Sequence, residues 1–75
     1  MAELPVLRPR EVVRALEKAG FFVHHRTRSH AVLRHGTEAS LRVTGPMHAR
    51  DLKRGTLRAI VRSAGMSVEE FVAFL

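Results

Sequence analysis

The stretch Phe21-Phe22-Val23-His24-His25-Arg26-Thr27-Arg28-Ser29-His30-Ala31-Val32-Leu33-Arg34 decides the fold of this chain. Phe21 to Arg26 is rich in aromatic and β-branched residues and reads as a strand, although the run Phe21, Phe22, Val23 breaks its alternation. A polar turn, Thr27 to Ser29, leads into a second short strand, His30 to Arg34. Gly36 and Thr37 turn the chain again. Ala39 to Thr44 then carries Leu41 and Val43 at period two, with Ser40 and Arg42 on the opposite face, the pattern of a half-buried antiparallel strand that Gly45 and Pro46 end. Three strands joined by short turns make an antiparallel meander with one apolar face.

Working outward, both flanks supply helices to cover that face. Upstream, Pro9 opens a helix without losing a hydrogen bond, because the first amides of a helix have no intrahelical acceptor. Val12, Val13, Leu16 and Ala19 recur at helical spacing, the charged residues take the other side, and Gly20 closes the helix. Residues 1–8 form an extended lead-in, since Pro5 and Pro9 both disfavour helix before them. Downstream, an irregular connection from Met47 to Asp51 precedes a second helix from about Lys53 to Ala64, with Leu57, Ile60, Val61 and Ala64 as its apolar stripe and Gly65 as its cap. Ser67 and Glu70 fit a capping box that opens a short terminal helix within residues 67–75, burying Val68, Phe71, Phe74 or Leu75. The expected architecture is α+β in the order α-β-β-β-α, with two helices on one face of the sheet, a short C-terminal helix, and the other face open. At 75 residues the chain is expected to be a single domain, residues 1–75.

Composition narrows the function. There is no cysteine, so stability must come from packing, caps or a partner, and a homodimer is one way to supply it. A net charge of +6 points to polyanions, namely nucleic acid, an acidic protein or an anionic membrane surface. The membrane is the weakest of these, because the apolar runs are only a few residues long and the N-terminus lacks a basic and an apolar signal region; the chain reads as cytoplasmic. Without Trp or Tyr, base-stacking on exposed aromatic platforms is disfavoured, and backbone or groove recognition is expected instead.

The charge is concentrated. Arg26, Arg28, Arg34, Arg42, Arg50, Lys53, Arg54, Arg58 and Arg62 face only Glu38 and Asp51 within the same stretch. Arg54, Arg58 and Arg62 recur every four residues and so form a ridge along one helix face. Nucleic-acid phosphates are the natural partner for such a surface, with an acidic protein as the competing use. Among the histidines, His24, His25 and His35 read as solvated surface residues. No metal site is expected, since no pair has HExxH spacing or a cysteine partner.

The ordered set Val12 to Phe21, Arg26 with Ser29-His30, Val43 with Pro46 and His48, and Leu52 with Gly55-Thr56-Leu57-Arg58-Ala59-Ile60 and Ala64-Gly65-Met66 resembles the HicA, or YcfA-like, toxins of bacterial toxin-antitoxin modules. The resemblance covers about Arg10 to Met66. It implies a fold like that of the double-stranded-RNA-binding domain (dsRBD-like), cleavage of messenger RNA as an mRNA interferase, and a HicB-like antitoxin as partner. It also implies a catalytic role for His30, which occupies the histidine of the family's Gly-Ser-His motif. Arg28 stands where the family usually has glycine, and Ala31 where a second histidine or another polar residue is common. If the turn requires positive φ at that position, arginine restricts it; otherwise Arg28 adds a phosphate contact.

Metal-independent cleavage of RNA needs a group to take the 2′-hydroxyl proton and one to protonate the departing 5′-oxygen, and histidine suits both tasks. It needs no cofactor. Arg26, Arg28, Arg34 and Arg42 are candidates to stabilise the charge on phosphorus, and Lys53, Arg54, Arg58 and Arg62 to hold the RNA backbone. His48 is a candidate second acid/base or substrate contact. Ser29 is not a nucleophile paired with His30, since adjacent strand residues point to opposite faces; a hydrogen bond in the turn is its expected role. Two other readings stand beside this one: a non-catalytic RNA-binding module, and an interaction domain for an acidic protein.

Overall fold

The computed structural model describes residues 3–48 and 50–75. Its elements follow the order α1 (Pro9–Lys18), β1 (Phe21–Arg26), β2 (His30–His35), β3 (Arg42–Pro46), α2 (Arg54–Ser63) and α3 (Val68–Val72). The three strands form one antiparallel sheet in the order β1-β2-β3.

Local chemistry explains most of the boundaries. The Glu11 carboxylate accepts the Arg8 amide N–H at 3.0 Å, which holds the chain entering α1, and Ala19 caps the other end before Gly20 turns out at φ 103°. The expected capping box of α3 is present in full: Ser67 N–H donates to Glu70 Oε1 at 2.8 Å and Glu70 N–H donates to Ser67 Oγ at 3.1 Å. The Ser67 backbone N–H first, and the Ser67 hydroxyl second, hold the Glu70 carboxyl below its ordinary range.

The third strand departs from expectation. It runs from Arg42 to Pro46 and not from Ala39 to Thr44. The shift follows from the turn before it, where the His35 ring accepts the amide N–H groups of Thr37 and Glu38, and Leu41 N–H closes on Glu38 O at 2.9 Å. Those bonds commit residues 36–41 to the connection. Pro46, which has no N–H to donate, ends the strand without cost because β3 lies at the edge of the sheet.

The core lies between the sheet and the helices. Helical spacing on α1 brings in Val12, Ala15 and Leu16, the sheet contributes Phe21, Ala31, Leu33 and Val43, and α2 contributes Leu57, Ile60 and Val61. The terminal helix packs on the same core through Phe71, which is completely buried. Leu4 and Leu7 of the lead-in join it, and Leu52 N–H donates to Leu7 O at 2.8 Å. At Gly45 a Cβ would sit 3.1 Å from Ile60 Cδ1 of α2, so the helix lies close on β3 there.

The register sorts the strand residues between two faces. Ala31 and Leu33 of β2, with Gly45 and Val43 opposite them, lie on the helix-covered face. His30, Val32 and Arg34, with Pro46, Thr44 and Arg42 opposite, lie on the open face. Between Val23 and His25 a β-bulge interrupts the pairing of β1 with β2.

Candidate active site

His30 begins β2, and its surroundings are built by the turn before it. Thr27 N–H donates to His30 O at 2.8 Å, and His30 N–H donates to Thr27 Oγ1 at 3.1 Å. This pairing leaves only Arg28 and Ser29 at the tip. No residue other than glycine has positive φ among the described residues, so the Arg28 backbone is unstrained and the turn does not require glycine there.

Ser29 corrects an expectation. Its Oγ lies 3.1 Å from His30 Nδ1, a contact between neighbours that is reached because Ser29 belongs to the turn and not to the strand. The bond is consistent with either direction, and in both cases it leaves Nε2 as the outward nitrogen of an exposed ring. A Ser29 hydroxyl that accepts from Nδ1–H serves both working forms of the ring, the neutral tautomer with an unprotonated Nε2 as base and the imidazolium with a protonated Nε2 as acid, whereas one that donates sets the neutral tautomer with Nε2–H.

The candidate cations do not form one cluster. Arg34 and Arg42 are directly paired across β2 and β3 on the face that carries His30. Arg26 pairs with Ala31, in the row that belongs to the helix-covered side, and borders a surface hollow of about 350 Å³ with Arg8, Pro9, Arg10, Met47 and His48. His48 also borders a second hollow, of about 580 Å³, with Arg50, Asp51 and Lys53, and its Nδ1 accepts the Arg50 N–H at 3.2 Å. Arg54, Arg58 and Arg62 are exposed along one flank of α2, which packs over β3 on the covered side; the ridge therefore belongs to the helix layer and does not share a face with His30.

Sequence reading missed Arg8 and Arg10, which folding brings to Arg26 and His48 across the start of α1. Arg8 also lies 3.7 Å from Asp51 in an exposed ion pair that contributes about 0–1 kcal/mol. The reading of His35 as a solvated residue is overturned as well. Its ring is half-buried, with Nε2 3.2 Å from Ala19 O and Nδ1 accepting from Thr37 and Glu38, and it meets Phe21 edge-on at 5.0 Å. His24 and His25 are exposed, as expected. Among the described residues, no group of three or more His, Cys, Asp or Glu residues is placed to hold a metal ion, and no helix is long and apolar enough to cross a membrane.

The order of elements and the landmarks around His30 and α2 agree with one sequence family, whose description is HicA toxin of bacterial toxin-antitoxin and whose model matches residues 9–66. The chain belongs to the HicA toxin family. The match spans α1 through the end of α2 and includes the turn, His30 and His48. Membership assigns the chain to the toxin side of a toxin-antitoxin pairing. No curated protein sequence matches the chain.

Proposed function

We propose that this HicA family member is an endoribonuclease that cleaves messenger RNA without a metal, with His30 as general acid or base, and that a HicB-like antitoxin restrains it by covering the open face of the sheet. The observation that carries the reading is His30 itself: an exposed imidazole with Nδ1 engaged by Ser29 and Nε2 directed outward, on a sheet face whose only charged strand residues besides histidine are Arg34 and Arg42. In cleavage, the 2′-oxygen loses its proton and attacks phosphorus while the bond to the 5′-oxygen breaks and that oxygen gains a proton. The products are a 2′,3′-cyclic phosphate and a 5′-hydroxyl. Arg28, in the turn beside His30, stabilises the negative charge that builds on phosphorus, and Arg34 and Arg42, two rows further along the same face, hold the adjoining backbone phosphates. Arg26, His48 and Lys53, with Arg54, Arg58 and Arg62 on the helix layer, offer separate cationic stretches to parts of the RNA backbone beyond that face.

The test is tightly induced expression of the wild type and His30→Ala in a bacterial host, with growth and messenger RNA integrity followed together. Growth arrest with RNA loss only in the wild type supports the reading. A wild type that binds RNA and never cleaves it replaces the reading with a non-catalytic binding module.

A further inference from the structure

We propose that His25 is the second proton-transfer residue of the site, working with His30 on opposite sides of the scissile phosphate; this rests on the ribonuclease reading above. Cleavage moves two protons at two different oxygens, and His30 has one outward ring nitrogen. A second group is therefore required within reach of the same phosphate.

The β-bulge is what supplies it. Phe21 pairs with His35, Phe22 with Arg34 and Val23 with Leu33. Continued without interruption, that register would place His24 opposite Val32 and His25 opposite Ala31, on the helix-covered face. The bulge adds one residue, so that His25 stands opposite Val32 and shares the open face with His30. His25 and His30 are then diagonal neighbours, at a spacing of about 7–8 Å between backbone positions on adjacent strands, which two imidazoles can span with a phosphodiester between them.

The other candidates are placed less well. The His24 ring packs against Phe22, at a centroid separation of 6.4 Å, and so leans toward the Arg34 and Arg42 end of the face. His48 follows Pro46 in the loop and borders the hollow of Arg8, Arg10 and Arg26. β1, β2 and β3 contain no Asp or Glu, so no strand carboxylate on this face competes for the role of base. The charged and titratable groups around the pair are His24 on β1, Arg34 on β2, Arg42 on β3 and Arg28 in the turn, while the helices pack on the opposite face.

In the step, one imidazole of the pair takes the 2′-hydroxyl proton as the new phosphorus–oxygen bond forms, and the other, as imidazolium, gives its proton to the 5′-oxygen as the old bond breaks. The pair ends with its protons exchanged, and solvent restores both.

The experiment compares the purified wild type with His25→Ala, His24→Ala, His48→Ala and His30→Ala on an end-labelled oligoribonucleotide across pH, with affinity measured on a 2′-O-methyl analogue that cannot be cleaved. The expected result is a loss of about 10²–10⁴-fold in rate for His25→Ala, with one limb of the pH–rate profile gone, analogue affinity within a few fold and an unchanged Tm. A substrate with sulfur at the 5′-bridging position, which departs without a proton, restores the rate of whichever variant lacks the acid. Three results overturn the proposal while leaving the ribonuclease reading intact: His25→Ala cleaving within a few fold of wild type while His30→Ala is inactive, a rate loss matched by an equal loss of affinity, or the loss of a limb in His48→Ala instead. A wild type that binds without cleaving overturns both.

Discussion

The two ends of β2 each carry a histidine, and the two rings are used in opposite ways. His35 spends both nitrogens on backbone: Nδ1 accepts from Thr37 and Glu38 at 3.1 and 3.0 Å, which leaves Nε2 to donate to Ala19 O at 3.2 Å. Those bonds fix its tautomer and tie the end of α1 to the turn before β3. His30 has one side-chain contact, to Ser29, and an outward Nε2. The difference teaches that a histidine becomes structural where backbone groups that have left the ladder need a partner, and is free for chemistry where a short turn satisfies its own backbone, as Thr27 does for His30.

Removing either ring tests that division. The largest effect is on chemistry: His30→Ala is expected to lower the rate of RNA cleavage by about 10²–10⁴-fold while leaving the urea midpoint unchanged. His35→Ala should do the reverse, losing about 1–3 kcal/mol of stability in urea unfolding through the lost part-buried bond to Ala19 O and the lost contact with Phe21, with cleavage by the folded fraction retained. A His35→Ala variant that is stable and inactive would erase the distinction between the two ends.

Gly20 sharpens the structural end. It adopts φ 103°, and a Cβ there would lie 2.7 Å from His35 Nε2. Gly20→Ala is therefore expected to cost about 1–3 kcal/mol from strained backbone and steric conflict together. In a background of His35→Ala the conflict with the ring is gone and only the backbone part of about 1 kcal/mol should remain, so the two substitutions should be clearly non-additive in urea unfolding. Additive losses would show that the ring does not limit the site.

Much of this fold was legible in the sequence because its signals are local. Pro9, Gly20 and Gly65 punctuate the helices, the apolar spacing of Leu57, Ile60, Val61 and Ala64 fixes the inner face of α2, and Ser67 with Glu70 marks the start of α3. What failed depended on side-chain contacts that residue types alone do not announce, some local and some distant in the chain. The start of β3 moved because the His35 ring captured the turn amides, and Arg8 and Arg10 joined Arg26 and His48 only through the packing of α1 against the sheet. The bulge was the hardest feature to read: the consecutive apolar residues Phe21, Phe22 and Val23 disturb the alternation, but they do not say which of His24 and His25 lies across from Val32.

The smallest effect belongs to Ser29, and it tests how much the turn contributes beyond placing His30. Its hydroxyl holds Nδ1 at 3.1 Å, so Ser29→Ala removes the one side-chain bond that orients the ring without removing the ring itself. The Thr27–His30 pairing is untouched, and the backbone of β2 should stay in place. The lost bond is exposed, which limits its contribution to about 0.5–1.5 kcal/mol, or roughly a factor of two to ten in rate. Cleavage should fall by that factor with RNA affinity unchanged, and Ser29→Thr, which keeps a hydroxyl, should recover part of it. A loss as large as that of His30→Ala would mean that Ser29 itself takes part in proton transfer, and the outward Nε2 would then no longer be the nitrogen that distinguishes the two ends of β2.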